Sequence, residues 1–282
     1  MYQGPGLVAW EAICQPKSTG GLGFRNVSAW NKAAMGKYLW AIANKEDSLW
    51  LRWINSVYLH NGDWWDHIPP SQSSWYWISL MRLKEQFKIA LNGNLVLQKY
   101  TVDYGYKLLN PVQEKVFWNK QIWGRLNTPK HSFVAWLAIQ HRLKTRDRLC
   151  KMGIFADHGC LLCKEQPETS MHLFFECAVS RKCLQQVKEW LQWKPQSVSL
   201  SGLIRWLGRS KMSNFRKLVI AAPVASLIYH IWKMRNLSYW DDETQDDMRM
   251  CKELKAGVTQ RVELFWPKKV SNVDKEWFMS LL

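Results

Sequence analysis

Four side chains between residues 160 and 177 have the types and spacing of a metal site. They are Cys160, Cys163, His172 and Cys177, in the pattern C-x2-C-x8-H-x4-C. A C-x2-C pair can turn two thiolates toward one point, and a downstream His and Cys complete a tetrahedral set that suits Zn²⁺. Four protein ligands leave no open position for water, so the pattern predicts one structural zinc ion and not a catalytic one. The competing interpretation is that the thiols are simply buried, as free Cys commonly is.

The spacing of the last two ligands also constrains the local backbone. His172 and Cys177 are five residues apart, so on a straight α-helix they would point roughly 140° apart. We therefore expect a turn or break between them, near Glu176, and a new helix after Cys177 that runs through Trp190. If the helix were continuous instead, Glu176 or Cys183 would be the substitute ligand.

A basic segment lies just before the metal pattern, and Asp147 is its only acidic residue. Such a segment either contacts phosphates or forms a solvated helix face, and the sequence leaves both interpretations open. The candidate nucleic-acid-binding residues are Arg142, Lys144, Arg146, Arg148 and Lys151.

The composition favours an acidic partner for a globular chain. The 282 residues include 39 Lys and Arg against 23 Asp and Glu, a formal net charge of +16, and 47% of the residues are hydrophobic. Nucleic acid is the first candidate partner and an anionic membrane surface the second. The longest apolar run, residues 218–229, is too short to span a bilayer, so we expect no membrane span. Of the two candidates we predict nucleic acid as the partner and no membrane.

Cysteine usage and the N-terminal sequence bear on the compartment. The seven Cys are odd in number and unevenly spaced, unlike the disulfide framework of a small secreted protein. No basic stretch followed by an apolar run opens the chain, so we expect no signal peptide. The sequence predicts an intracellular protein and leaves nucleus or cytoplasm open.

Two short motifs resemble catalytic or nucleotide-binding signatures, but their context argues against both. Residues 239–242 read Y-W-D-D, the letters of a polymerase metal site, yet they follow a helical pattern and open an acidic run. Residues 20–23 read G-G-L-G without the following Lys-Ser/Thr of a phosphate-binding loop. No H-x-E motif of a zinc deaminase occurs. We therefore predict that the chain is not an enzyme.

The periodicity of apolar residues predicts a mainly α fold, with a short β-hairpin within residues 95–109 and a zinc-knuckle-like Cys3His loop. One predicted helix starts near Ser28 as its N-cap, and a second near Ser48 places Trp50, Trp53 and Val57 on one packed face. The remaining predicted helices cover residues 74–91, 114–126, 131–143, a short segment from 145, 197–207 and 215–240.

Several segments resemble plant LINE-type (non-LTR) retrotransposon reverse transcriptases. The stretch that follows the polymerase palm in that family is similar to residues 10–17, 20–25 and 30–37. The reverse-transcriptase zinc-binding domain of the family is similar to residues 118–126, 129–130, 133–136, 143–145 and 160–177, with 100–106 as its hairpin. A helix that follows that domain is similar to residues 231–236.

The resemblance implies three regions: a Trp-rich helical region over 1–65, the zinc-binding domain over 66–200 and a C-terminal helical region over 201–282. It implies a non-catalytic zinc-binding module that binds RNA or DNA non-specifically and partners the polymerase core of a parent polyprotein. The palm, endonuclease and ribonuclease H motifs of such elements are missing from this sequence. The alternative is a truncated retroelement remnant that acts as a protein-interaction or scaffold module.

Overall fold

The structure, a computed structural model, describes residues 6–60, 62–90, 99–111, 113–240 and 246–282. The chain divides into two compact units. The N-terminal unit comprises residues 9–114, and the C-terminal unit comprises residues 115–282 together with the described residues before Ala9. The three regions 1–65, 66–200 and 201–282 stay a prediction. They were drawn from sequence similarity, whereas the two units are defined by compactness.

Five α-helices are described in the N-terminal unit, and polar side chains cap several of them. They are α1 (Trp10–Cys14), α2 (Val27–Ala43), α3 (Leu49–Ile54), α4 (Trp75–Ala90) and α5 (Val102–Leu109). Ser48 caps α3 as predicted, since its side chain accepts a hydrogen bond from the backbone of Leu51. The predicted cap Ser28 is wrong: α2 begins two residues earlier, where the Asn26 side chain accepts from the backbone of Ala29.

Aromatic side chains form much of the core of the N-terminal unit. Trp77 is fully buried, and the Tyr58 ring stacks on it with centroids 4.4 Å apart. The predicted packed face of Trp50, Trp53 and Val57 is wrong, since Trp53 and Val57 are 51% and 44% exposed. The α-helix ends at Ile54 and a wider π-type turn follows over Asn55–Leu59, so the 3.6-residue period does not extend to Val57.

One lysine is buried in this unit. Lys84 lies on α4 with 3% exposure. Its Nζ donates hydrogen bonds to the backbone carbonyls of Trp64, Trp65 and His67, at 3.3, 3.1 and 3.0 Å. Burial of the ammonium is the largest influence on the pKa of Lys84, and it lowers that pKa. The lysine therefore ties the loop over residues 64–67 to α4.

The predicted β-hairpin is wrong over its second half. Residues 102–109 form helix α5, which starts after Thr101, whose side chain accepts from the backbone of Tyr104. Alternating Val and Tyr suggested a strand, but the Thr cap and Asp103 in the first turn favour a helix there. Residues 95–98, the start of the predicted hairpin, lie outside the described residues. Over the described ranges no strand is found, and one isolated antiparallel bridge joins Gly159 to Pro167.

Eight α-helices are described in the C-terminal unit. They are α6 (Asn119–Ile122), α7 (Pro129–Ile139), α8 (Arg146–Lys151), α9 (Ala178–Trp190), α10 (Leu200–Arg209), α11 (Asn214–Trp240), α12 (Asp247–Leu264) and α13 (Asn272–Met279). The long helix α11 is central, since α6, α7, α9, α10 and α12 all contact it. It continues through the buried Pro223. None of the described helices is both long enough and apolar enough to cross a membrane.

Candidate metal centre

A tight loop presents the first two predicted ligands, Cys160 and Cys163. The loop is closed at its base by the Gly159–Pro167 bridge and by the Cys160 amide, which donates to the Gln166 carbonyl at 2.7 Å. At its tip the Lys164 amide donates to the Cys160 carbonyl at 2.8 Å, and Lys164 adopts a left-handed conformation with φ 60°. These contacts turn both thiols to the same side, as the C-x2-C spacing predicts.

A backbone break presents the other two ligands, His172 and Cys177. The segment His172–Glu176 is a π-type turn in which Phe174 and Phe175 leave helical geometry, and Phe175 has φ 91°. The predicted break is confirmed, and it lies just before Glu176. The Ser180 hydroxyl accepts from the Phe175 amide at 3.0 Å and donates to the Cys177 carbonyl at 3.2 Å. Helix α9 then starts directly after Cys177, its N-cap residue.

The structure brings the four predicted ligands together. One ligand atom from each of Cys160, Cys163, His172 and Cys177 lies within 4.8 Å of all the others. The Cys163 Sγ and His172 Nε2 are 3.3 Å apart, and the Sγ atoms of Cys160 and Cys177 are 4.0 Å apart. A tetrahedral zinc ion with usual bond lengths sets S–N and S–S separations of about 3.5 and 3.8 Å. The residues therefore fit zinc.

The centre is largely removed from solvent. Cys160 and Cys177 are 1% and 0% exposed, and His172 is 9% exposed. The hydrogen bond donated by the Cys160 thiol is the main reason that the pKa of Cys177 falls to about 5, and the backbone N–H groups of Ser180 and Val179 act in the same direction. The same bond, with burial, raises the pKa of Cys160. The site thus favours at least one thiolate, the form that binds metal.

A buried carboxylate, Glu168, joins the metal loop to the rest of the unit. It is fully buried and accepts from the backbone amides of Arg146 and Leu161, at 2.9 and 3.4 Å. The Nε of Arg235, on α11, donates to the same carboxylate at 2.9 Å, and the Nη2 of Arg235 lies 2.8 Å from it as an ion pair. Residues 146, 161 and 235, which are 22, 7 and 67 positions away, thus converge on the Glu168 side chain. Removing one partner of such a buried pair leaves an uncompensated charge.

Sequence reasoning did not find the pair of Glu168 and Arg235. The two residues are 67 positions apart, and no short-range spacing rule connects residues at that distance. Arg235 was noted only within the resemblance of residues 231–236. The substitute ligands considered for a continuous helix are not in the cluster: Glu176 is exposed, and Cys183 is buried on α9.

The structure separates the five predicted phosphate contacts into two groups. Arg146 donates to the Asp157 carboxylate at 2.6 Å and to the Gly159 carbonyl at 3.1 Å, so it braces the metal loop. Arg148 donates to the His141 carbonyl at 2.9 Å, and Lys151 lies 3.8 Å from Asp147. The exposed side chains of Arg142 and Lys144 precede helix α8. The Lys151 side chain is exposed as well, at 79%.

The polymerase-like tetrapeptide is only partly described. Tyr239 and Trp240 end helix α11, whereas Asp241 and Asp242 lie outside the described residues. Among the described residues, the Cys3His cluster is the one group of three or more Cys, His, Asp or Glu side chains placed to share a metal ion.

Comparison with known proteins agrees with this geometry. Residues 100–183 match a family described as zinc-binding in reverse transcriptase, a range that contains all four cluster residues. A protein of Arabidopsis thaliana, provisionally named a ribonuclease H protein, is 35% identical over 77 residues. That match covers 26% of this chain and 12% of the relative, so the matched part spans about one eighth of the relative's length. No solved structure matches the chain. The two matches support a retrotransposon-related chain that carries a reverse-transcriptase zinc-binding domain.

Proposed function

We propose that this chain is a non-catalytic, zinc-stabilised module of a LINE-type retrotransposon polyprotein, and that it binds RNA or DNA without sequence specificity. One structural zinc ion would be held by Cys160, Cys163, His172 and Cys177. The observation that carries the proposal is a buried Cys3His cluster inside a strongly basic unit. Intracellular location and plant origin belong to the same proposal.

The distribution of charge supports nucleic acid as the partner of the C-terminal unit. Residues 115–282 hold 28 Lys and Arg against 15 Asp and Glu, a net +13 of the total +16. The preceding 114 residues hold 11 basic and 8 acidic side chains. A protein that neutralises phosphates releases counterions, so a basic surface gives affinity without reading sequence. Arg142 and Lys144 are two of the three exposed candidates, and Lys151 is the third.

The test is the salt dependence of binding to a fluorescent single-stranded RNA, measured by anisotropy with zinc-loaded protein. Each phosphate contact contributes a slope of about 0.7 in log affinity against log salt for single strands. We expect Arg142→Gln with Lys144→Gln to lower that slope by about 1.4. The matched control is Arg82→Gln with Lys88→Gln, two exposed positions of the N-terminal unit. Equal losses from both pairs, or no binding at low salt, would contradict the proposal.

Exposed aromatic and aliphatic side chains of the N-terminal unit favour the second candidate, a protein-interaction module. Trp75, Leu49 and Ile68 are 79%, 83% and 84% exposed. Where such side chains form a contiguous patch, they are typical of protein–protein contacts. Their partner would be the polymerase core of the parent polyprotein. Light scattering with and without that core supplied in trans distinguishes a specific complex from self-association.

A further inference from the structure

A cavity of about 290 Å³ in the C-terminal unit collects basic nitrogen groups that the metal centre does not use. Helices α7, α11 and α12 line it. Lys130 and His131 come from α7, His230 from α11, and Arg261 from α12. Its volume is close to the lower limit for small-ligand pockets, and a phosphate group is far smaller than that.

Two nitrogen atoms of the lining residues lack a hydrogen-bond partner. His230 Nδ1 and Arg261 Nε are both buried, and neither has a hydrogen-bond partner among the described residues. Buried polar groups in proteins are nearly always hydrogen-bonded, and those that are not call for an explanation. Both atoms are closed to solvent, so an anion in the cavity would pair with them only after the two side chains reorient.

Aromatic contacts hold the basic groups close to each other. The His131 ring lies 4.7 Å from the Tyr229 ring and 5.8 Å from the His230 ring, centroid to centroid. The Lys130 ammonium lies 5.0 Å from the Tyr229 ring centroid. The one acidic residue in the lining, Glu253, is 3.2 Å from Arg249, which offsets its charge.

We propose that this cavity binds a phosphate group through Lys130, His131, His230 and Arg261. The group would come either from a nucleic-acid backbone or from a free phosphate or nucleotide, since both present the same oxygens. Arg pairs well with phosphate oxygens through its planar set of N–H donors, and Lys supplies a point charge. The site does not depend on the metal ligands or on the basic segment before α8.

Binding at this site is coupled to protons. Burial lowers the pKa of His131 to about 4, with smaller contributions from His230 and Lys130. Burial also lowers the pKa of His230; Lys233 and Lys130 add to that effect, and Glu253 opposes it. Both imidazoles are therefore neutral at pH 7, and a bound anion favours their charged forms. Affinity for an anion of constant charge should rise as pH falls.

The direct test follows the imidazole Cε1–H signals of the zinc-loaded full chain by NMR during titration with inorganic phosphate, at constant ionic strength set with chloride. We expect saturable shifts of the His131 and His230 signals. We also expect at least fivefold weaker phosphate binding in Lys130→Gln and an unchanged constant in Lys275→Gln, which removes an exposed charge on α13. Absence of shifts, or equal weakening in both variants, would overturn the proposal.

Two further arms complete the design. With sulfate as the probe, we expect at least twofold tighter binding at pH 6.0 than at pH 8.0, and an unchanged constant would refute the participation of the imidazoles. Titration with single-stranded RNA distinguishes the sources. Shifts of the same two signals support a backbone phosphate, and RNA binding that leaves them unmoved while phosphate shifts them supports a free phosphate or nucleotide. RNA binding can also fail while phosphate binds, so this site and the proposed function are tested separately.

Discussion

The two units of the chain solve the same problem, a buried charge, in different ways. In the N-terminal unit the ammonium of Lys84 donates to three carbonyls from one nearby loop and lies 3.7 Å from the carboxylate of its chain neighbour Glu85. In the C-terminal unit the carboxylate of Glu168 is satisfied by Arg235 and by two backbone amides from separate segments. The first arrangement secures a local loop. The second, together with the Cys3His cluster, connects distant parts of the unit.

This difference implies that metal has unequal effects on the two units. The core of the N-terminal unit is built from aromatic and aliphatic side chains such as Trp77, Leu80 and Phe87. The C-terminal unit contains the cluster, and the loop of residues 158–168 has no described strand or helix of its own. The binding free energy of a structural metal is folding free energy for the segments that it joins.

Loss of the metal should produce the largest effect and the clearest contrast between the units. We expect Cys177→Ser, or removal of zinc by a chelator, to destabilise the C-terminal unit by at least about 5 kcal/mol, given the usual worth of structural zinc. Hydrogen exchange read by mass spectrometry should show lost protection over 146–190 and retained protection in α2 and α4. Cys14→Ser, at a buried thiol outside the cluster, is the control. Equal loss in both units would break the comparison.

Removal of the buried carboxylate should come next. Glu168→Gln leaves Arg235 buried without its counter-charge, and we expect a loss of about 3–5 kcal/mol in unfolding free energy. Glu165→Gln changes an exposed carboxylate of the same loop and should cost less than about 0.5 kcal/mol. Urea denaturation of zinc-saturated protein measures both. Similar losses from the two variants would show that Glu168 does not connect the segments.

Substitution of the buried lysine should have a smaller and local effect. Lys84→Met keeps most of the apolar stem but removes three hydrogen bonds, so we expect the N-terminal unit to lose about 1–3 kcal/mol. Hydrogen exchange should increase at residues 64–67 while the metal loop is unchanged. Lys88→Met, at an exposed position of the same helix, provides the reference. Increased exchange over 158–177 in Lys84→Met would contradict a local role.

The smallest of the four predicted losses of stability is that of the C-terminal unit in acid, and it arises from His131. Its pKa is about 4 in the folded chain and about 6.5 when unfolded. The unfolded chain therefore takes up the proton first, and stability falls as pH drops from about 6.5 to 4. Allowing for partial exposure, we expect about 1–2 kcal/mol. Denaturation in buffers without phosphate or sulfate should show that His131→Gln removes this part of the pH dependence, and an unchanged profile would contradict it.

Spacing alone predicted most of the metal centre. The C-x2-C pair and the five-residue step from His172 to Cys177 depend on local geometry, so the cluster residues and the backbone break followed from the sequence. The Glu168–Arg235 pair did not, because its partners meet only through the packing of α11 against the loop. The same limit explains Arg146, which was predicted to contact phosphate but braces Asp157 and Gly159.

Several helix starts were predicted, but the helix predicted over 114–126 covers only Asn119–Ile122, and α12 and α13 were not predicted. Ser48 and Thr145 mark helix starts that the structure confirms, because N-terminal signals act within one turn. The segment 102–109 was assigned to a hairpin because Val and Tyr favour strands, but tertiary contacts prevailed. The Tyr100 hydroxyl donates to the Ala33 carbonyl at 2.6 Å, and a Cβ at Gly105 would collide with that hydroxyl. Gly105 thus lets α5 approach the Tyr100 ring.

The 67-residue separation of Glu168 from Arg235 sets an order of events during synthesis. The cluster needs only residues 160–177, so the loop can capture its ion while α11 is still being translated. Until Arg235 leaves the ribosome, the carboxylate of Glu168 lacks its guanidinium partner. A chain whose translation stops before residue 235 would therefore have a metal-bound loop without the Glu168–Arg235 pair. We expect such a loop to lose its metal ion to chelators more readily than the full chain does.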